Sequence, residues 1–235
     1  MTQPTTTWRD HGNGLWTASQ DLILGGVNLG CRMSVIRLAN GSLLCVSPVR
    51  PTDDLLNQLN AIGSVEFIIG PNPVHHLFLP AFASKFPRAK ILGVKALFKK
   101  HPTLPLNEAT STIVGNLDPS LEGVVVHLGH FEEVVLFHKP SQSLIVVDLV
   151  FHLKRVKGTW PRFALKLYGI LDRFGPSFAI RWLARNRTEA NRQLAPIKQW
   201  PFDRVIMAHG DVVETSGREL FIGAFTHWRA VPSPS

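Results

Sequence analysis

Four short apolar runs of this chain each lead into histidine, asparagine or aspartate, and this pattern limits the folds open to it. The runs are "VEFIIG", "GVVVHLG", "SLIVVD" and "VIMA". The polar side chains that end or follow them are Asn72, His75, His76, His130, Asp148 and His209. Short apolar runs bounded by turn residues are typical of buried strands. Ligand sites of α/β sheets form at the carboxyl ends of strands, so the pattern predicts an α/β fold with one polar site at a sheet edge.

The segments between these runs predict helices and a hairpin. "MSVIRL" and "SLLCVS" flank "ANG", which favours two antiparallel strands joined by a tight turn. Residues 51–63 carry Thr52 before two aspartates and end at Gly63, which is typical of a helix with a polar cap. Strands come first along the chain and then alternate with helices. We therefore expect mixed sheets covered by helices on their outer faces.

Composition and length favour one large folded domain. The chain has 235 residues, of which 45% are hydrophobic, so it can bury a substantial core, and we expect a single domain over 1–235. Cys31 and Cys45 form no metal-binding spacing and are interpreted as buried, reduced thiols. The polar N-terminus lacks the apolar core of a signal peptide, and no apolar run is long enough to span a membrane. These features predict a cytoplasmic protein.

The segment at about 153–200 is basic, apolar and predicted to be helical. It contains eleven Lys or Arg residues, Arg155 among them, against Asp172 and Glu189. We expect a helical lid-like insertion that shapes an apolar pocket with a cationic rim, suited to an anionic or amphiphilic small molecule. A solvated helical face and contact with a membrane surface are the open alternatives. No zinc-finger, RNP or helix-turn-helix signature favours nucleic-acid binding, although the net charge is +8.

The residue types at the strand ends indicate a metal site. Histidine, aspartate and water are the ligands that zinc and iron prefer in proteins. Several such side chains, brought together from distant parts of the chain, would form one centre. For each histidine the structural alternative is a cap or a buried turn residue, and for Asp148 it is a helix cap.

The order and spacing of four motifs resemble the metallo-β-lactamase superfamily. The motifs are "RMSVIRLANGSLLCVSPV", "PNPVHHLFLP", "LIVVDLVFH" and "FDRVIMAHGDVVE". Within the superfamily the chain is most similar to a little-characterised branch catalogued as a domain of unknown function. The resemblance covers roughly residues 15–230 and implies a four-layer αβ/βα sandwich.

The resemblance also implies which residues bind metal. "PNPVHH" stands where the superfamily has a His-x-His-x-Asp-His motif, so His75 matches the Asp and His76 matches the last His. Asp148 resembles the bridging aspartate of the superfamily, His130 resembles the histidine of its Gly-His segment, and His209 resembles its final histidine. The chain departs from the superfamily at Pro71 and Pro73, which stand where the first two histidines of the motif belong. Proline cannot bind a metal, and we therefore expect one ion, zinc with iron as the alternative, instead of the usual pair.

His75, His76 and His209 are the expected main ligands, with Asp148 as fourth ligand or orienting group. His130 is a further candidate ligand. Asn72 or Glu133 could complete a second, weaker site.

The function implied by the resemblance is metal-dependent hydrolysis of an ester, lactone, thioester, amide or phosphoester. A catalytic zinc keeps an open position for a water and lowers the pKa of that water to about 7. Asp148 could orient this water or take its proton, and His130 or His152 could relay a proton. Two alternatives stay open. One is a sandwich that lost catalysis and binds a ligand or partner, and the other is an iron redox enzyme.

Overall fold

The computed structural model describes residues 4–154, 156–228 and 231–232. Arg155, one of the cations of the basic segment, lies outside the described residues. The strands are β1 Thr7–Asp10, β2 Leu15–Gln20, β3 Ile23–Leu24, β4 Val27–Asn28, β5 Cys31–Arg37, β6 Leu43–Val46, β7 Val65–Gly70, β8 Lys90–Gly93, β9 Leu106–Glu108, β10 Leu121–Leu128, β11 Phe131–His138, β12 Ser143–Ile145, β13 Phe151–His152, β14 Arg173–Gly175, β15 Arg204–Ile206 and β16 Val231–Pro232. The helices are α1 Asp53–Ile62, α2 Leu79–Ala83, α3 Ala96–Lys100, α4 Ser111–Gly115, α5 Thr159–Leu167, α6 Phe178–Leu183, α7 Arg187–Gln199 and α8 Gly217–Thr226.

Two sheets form the centre of the molecule. The larger has the order β1-β2-β5-β6-β7-β8-β9, with antiparallel pairs up to β6 and parallel pairs from β6 to β9. The smaller has the order β10-β11-β12-β15, and its last pair is parallel. Strands β6, β7, β12 and β15 all belong to parallel pairs, so polar residues that follow them can meet where these strands end.

The smaller sheet is buried on both faces because its strands alternate between two cores. Val125 and Leu136 pack into a core with the larger sheet and with Leu55 of α1. Val126 and Phe137 belong to a second core with side chains of α6, α7 and α8. The layers therefore run helix, sheet, sheet, helix, and the predicted αβ/βα sandwich is confirmed.

Local sequence explains where α1 and the first hairpin form. The Thr52 side chain accepts a hydrogen bond from the Leu55 amide and caps α1, whose buried residues are Leu55 and Leu59. Strands β5 and β6 are antiparallel around "ANG", as predicted. Cys31 and Cys45 are both buried free thiols, which agrees with the sequence-based interpretation.

The basic segment contains helices α5, α6 and α7 and the short strand β14. Leu165 is the buried residue of α5, and Ile180 is the buried residue of α6. Both helices therefore rest on the body of the protein through a narrow contact. Among the described residues, none of the helices combines the length and apolar composition needed to cross a bilayer.

The loop after β15 is fixed to β13 and β5. Gly210 forms a β-bridge with His152, and the Asp211 amide donates a 2.7 Å hydrogen bond to the His152 carbonyl. The Arg32 guanidinium donates to the carbonyls of Met207 and Gly210 at 2.6 and 2.7 Å. Gly210 has φ +88°, and a Cβ there would overlap the His152 carbonyl. Any residue other than glycine is therefore disfavoured at this position for two independent reasons, the left-handed backbone and the steric overlap.

We predict that Gly210→Ala lowers the free energy of unfolding by more than about 3 kcal/mol, because it adds a steric overlap to a left-handed backbone. Gly41→Ala is the matched control, since Gly41 has φ +83° with nothing within 4 Å of a Cβ, and it should cost about 1 kcal/mol. Urea denaturation measures both variants. Equal losses would show that the contact with His152 is unimportant.

Candidate metal centre

Four polar side chains follow the carboxyl ends of strands in parallel pairs. Ser47 comes directly after β6, and His75 lies in the turn after β7. Asp148 comes three residues after β12, and His209 comes three residues after β15. Strands β6 and β7 end at the same edge of the larger sheet, and β12 and β15 end at the same edge of the smaller one. The side chains that follow the two pairs converge although they lie up to 162 positions apart, counted from Ser47 to His209.

His75, Asp148 and His209 form a compact cluster of possible ligand atoms. One ligand atom from each lies within 4.8 Å of the other two. In the described part of the chain, this is the one group of three or more His, Cys, Asp or Glu side chains close enough to hold a metal ion together. The Nε2 atoms of His75 and His209 are 2.9 Å apart. Asp148 Oδ2 lies 3.4 Å from His75 Nε2, and Asp148 Oδ1 lies 3.5 Å from His209 Nε2.

Both imidazoles are held through the ring nitrogen that faces away from the cluster. His209 Nδ1 lies 2.7 Å from the Gly30 carbonyl and must donate to it, since a carbonyl only accepts. A neutral His209 therefore carries its lone pair on Nε2, inside the cluster. His75 Nδ1 contacts Ser47 Oγ at 2.9 Å. Phe151 stacks parallel to His209, with ring centroids 5.8 Å apart, and fixes the plane of the ring.

Asn72 connects the turn after β7 to two buried carboxylates. Its side-chain amide donates to Glu133 Oε2 at 3.1 Å and to Asp148 Oδ2 at 2.9 Å. Its side-chain oxygen accepts from the amides of Val74 and His75 at 2.9 and 2.8 Å. Asn72 is fully buried, so one side chain sets the distance between the His75 backbone and Asp148.

Glu133 organises the segment that carries Asp148. It accepts hydrogen bonds from the amides of Val147 and Asp148 at 2.8 and 2.7 Å, and a longer one from Leu149. Burial, followed by the charge of Asp148, raises the pKa of Glu133 to about 7. Burial would also raise the pKa of Asp148, but the charge and hydrogen bond of His75, with His209 and Asn72, lower it to about 2. Asp148 thus loses its proton at a lower pH than Glu133.

The two adjacent histidines of the turn point in different directions. His76 Nδ1 contacts His101 Nε2 at 2.9 Å, and His76 Nε2 lies 3.2 Å from Lys100 Nζ. Both ring nitrogens of His76 are thus engaged outside the cluster, whereas the sequence predicted that both histidines face one centre. Asn72 accepts the His75 amide and so holds the turn, while Ser47 Oγ and His209 Nε2 contact the His75 ring on the inner side.

The other candidates occupy surrounding positions. His130 is exposed in the turn between β10 and β11, and the structure does not bring it into the cluster. His152 is buried and its Nδ1 contacts the Asp211 carbonyl at 3.0 Å. Asn72 and Glu133 touch Asp148 and position it. Glu133 is not a member of the cluster, and the Asn72 oxygen is engaged by the amides of Val74 and His75.

Three supporting groups were missed in the sequence: Ser47, Phe151 and the Gly30 carbonyl. Ser47 carried a usable signal, since it ends the apolar run "SLLCVS" in the same manner as Asp148 ends its own. It also has φ +59°, which is uncommon outside glycine. A backbone carbonyl such as that of Gly30 leaves no signature in sequence.

An apolar cavity of about 560 Å³ opens directly onto Asp148 and His209. Its walls come from the β3–β4 hairpin through Leu24 and Val27, and from α5 and its neighbours through Trp160, Leu165 and Ile180. Trp160 Nε1 donates to the Gly25 carbonyl at 3.0 Å and ties α5 to the hairpin tip. Of the polar lining side chains, Ser177 uses its hydroxyl to cap α6, which leaves Asp148, His209 and the half-exposed Tyr168 as the polar groups available to a ligand.

The donor set fits a divalent metal ion. Zinc ligands at about 2.0–2.1 Å in tetrahedral geometry are separated by about 3.3 Å. Asp148 Oδ2 lies 3.4 Å from His75 Nε2 and Oδ1 lies 3.5 Å from His209 Nε2, so each oxygen matches this value toward one imidazole. One ligand atom from each of the three residues lies within 4.8 Å of the others, and the 2.9 Å between the imidazoles is slightly shorter than the tetrahedral value. Two histidines and one carboxylate are ligands found for both zinc and iron.

Comparisons with known proteins support the fold. Residues 12–120, slightly less than half of the chain, match the family model described as a domain of unknown function, DUF4336. This agrees with the predicted resemblance to a branch of unknown function. No curated protein matches the chain significantly.

Solved structures are similar over almost the entire chain. A metallo-β-lactamase from Pontibacter korlensis is 14% identical with a TM-score of 0.64, over 92% of this chain and 96% of that one. A metallo-β-lactamase from Hirschia baltica is 12% identical with a TM-score of 0.62, over 97% and 99%. The mono-zinc form of FIM-1 from Pseudomonas aeruginosa is 10% identical with a TM-score of 0.60, over 95% and 96%. At these identities the similarity establishes architecture, and the chain has the metallo-β-lactamase fold.

Proposed function

We propose that this chain is a hydrolase that holds one divalent metal ion, zinc with iron as the alternative, on His75, Asp148 and His209. The observation that carries the proposal is the convergence of two imidazole nitrogens and an ionised carboxylate at one end of an apolar cavity. A solved relative in fold is described as a mono-zinc form, which supports a single ion. The two free, buried thiols agree with a reducing cytoplasm as the place of action.

The apolar cavity supports a substrate with an apolar acyl portion. Its walls would take up a hydrocarbon chain, while the reacting carbonyl lies against Asp148 and His209. Within the classes expected from the sequence, esters, lactones and thioesters fit this cavity best. An apolar pocket of this size also excludes water from the bound chain.

Each residue of the site has a defined role in this proposal. When bound, the metal would activate a water and polarise the scissile carbonyl. His209 keeps its lone pair on Nε2 by donating Nδ1–H to Gly30, and a hydrogen bond with Ser47 orients His75. Asp148 offers Oδ1 on the side of His209, where it can accept a hydrogen bond from the attacking water. Asn72 holds Asp148 Oδ2 and prevents the carboxylate from rotating.

Ligand binding without catalysis is the second candidate function. The 2.9 Å contact between the two Nε2 atoms allows one imidazole to donate to the other, so the cluster is internally satisfied without an ion. A metal must displace this hydrogen bond. If the purified chain contains almost no metal and a chelator leaves its thermal stability unchanged, ligand binding without catalysis is the better account.

Metal content tests the ligand set. We expect about one equivalent of zinc or iron per chain after purification, and a loss of most of it in Asp148→Ala and His209→Ala. His76→Ala is the matched control because both its ring nitrogens are engaged elsewhere, and it should keep its metal. Elemental analysis measures the metal content of the unmodified chain and of the three variants. Two equivalents in the unmodified chain, or loss of metal in His76→Ala alone, would contradict the assignment.

Cavity filling tests the substrate class. Ala164→Phe adds a ring inside the cavity, so kcat/KM for a p-nitrophenyl ester with a medium acyl chain should fall about tenfold relative to the acetate ester. Ala81→Phe adds the same ring on the exposed surface of α2 and should change neither value. A uniform loss for both esters in Ala164→Phe would argue against acyl binding in this cavity.

Asn72→Asp tests the support of Asp148. The substitution replaces two donated hydrogen bonds with a third buried carboxylate, so in chelator we expect a loss of about 2 kcal/mol or more in the free energy of unfolding. Asn60→Asp makes the same change on the exposed surface of α1 and should be nearly neutral. Similar urea midpoints for the two variants would show that the carboxylates do not need Asn72.

A further inference from the structure

Helices α5 and α6 expose a cluster of large apolar side chains. Six side chains, each between 48% and 61% exposed, define what we call the α5–α6 face: Trp160, Phe163, Leu167, Tyr168, Phe178 and Trp182. Ile23 and Leu24 of the β3–β4 hairpin are 66% and 53% exposed, and Trp160 is bonded to the tip of that hairpin. Of the twelve large hydrophobic residues exposed in the described part of the chain, eight therefore lie in one region. Such concentration marks an interaction surface.

Cations are interleaved with these aromatic side chains. A surface depression of about 590 Å³ is lined by four cations and two aromatic rings, namely Arg162, Lys166, Arg173, Arg181, Phe163 and Phe178. None of its lining residues is acidic. Asp172, which pairs with Arg162 at 3.0 Å, lies outside the lining. The buried Nε of Arg181 has no hydrogen-bond partner among the described residues, and its guanidinium lies over Phe178. A donor of this kind suits an anionic oxygen.

We propose that the α5–α6 face docks on an anionic phospholipid surface. Short helices with Trp, Phe and Leu beside Lys and Arg are suited to the boundary between acyl chains and headgroups. Tryptophan and tyrosine place an apolar ring and a polar group at that depth, and the cations meet lipid phosphates.

The positive charge of the α5–α6 face favours an anionic lipid surface over a second copy of the chain as the partner. A symmetric dimer through the α5–α6 face would bring two sets of Arg162, Lys166, Arg173 and Arg181 together, within a chain whose net charge is +8. Anionic lipid neutralises the same charges. The aliphatic Leu167 matches acyl chains and gives no contact to a nucleic-acid backbone. The docking does not depend on the proposed hydrolysis.

Vesicle flotation of metal-stripped protein tests the proposal. We expect the chain to float with phosphatidylcholine vesicles that contain phosphatidylglycerol, and to remain largely unbound with phosphatidylcholine alone. Binding should weaken as salt is added. The tryptophan emission should shift to shorter wavelength on binding, because Trp160 and Trp182 leave water.

A pair of double variants locates the surface. Phe163→Glu with Trp182→Glu should weaken vesicle binding about tenfold or more, through the loss of buried apolar area. Phe98→Glu with Ile113→Glu introduces the same charges at other exposed apolar positions, 37% and 41% exposed, and should bind as the unmodified chain does.

Three results would overturn the proposal. One is the absence of binding to anionic vesicles. Another is an equal loss of binding in both double variants, which would indicate a general charge effect. The third is a concentration-dependent dimer in sedimentation velocity, abolished by Phe163→Glu with Trp182→Glu, in a chain that does not float with vesicles.

Discussion

The candidate site depends on one buried side chain, that of Asn72. Two carboxyl groups, Glu133 and Asp148, meet inside the protein, and two adjacent buried anions would repel each other strongly. The Asn72 amide donates to both, and the backbone amides of residues 147–149 supply further donors to Glu133. The opposite end of the same side chain accepts from the His75 backbone. Electrostatic compensation and ligand placement are therefore achieved by the same few hydrogen bonds.

The arrangement around this network follows from the topology of the two sheets. Strands β6, β7, β12 and β15 belong to parallel pairs, and Ser47, His75, Asp148 and His209 follow their carboxyl ends. Each imidazole is oriented by its outer nitrogen, through Ser47 Oγ or the Gly30 carbonyl, so that Nε2 faces Asp148. The β3–β4 hairpin and α5 then enclose the apolar cavity above. The strand ends of the two sheets thus supply the polar groups, and the hairpin and helices α5 and α6 supply the walls of the pocket.

Sequence patterns predicted the layers and the strand ends, because short buried strands and turn residues depend on local chemistry. The same patterns could not separate His75 from His76. Which of two neighbouring rings turns inward depends on the backbone of the turn, and that backbone is set by Asn72 through contacts with residues 61 and 76 positions away. The role of Glu133 in holding the Asp148 segment could not be predicted either. Both faces of β11 are buried, so the alternation of residues does not show toward which face Glu133 points. His130 resembles a ligand in its Gly-His context but lies exposed in a turn.

The central claim is that a single metal ion binds between His75, Asp148 and His209. Anomalous diffraction from crystals of the chain loaded with one equivalent of zinc tests it most directly. We expect one strong peak at about 2.0–2.2 Å from both Nε2 atoms and an Asp148 oxygen. A peak between His76 and His101, or no ordered peak near Asp148, would contradict it.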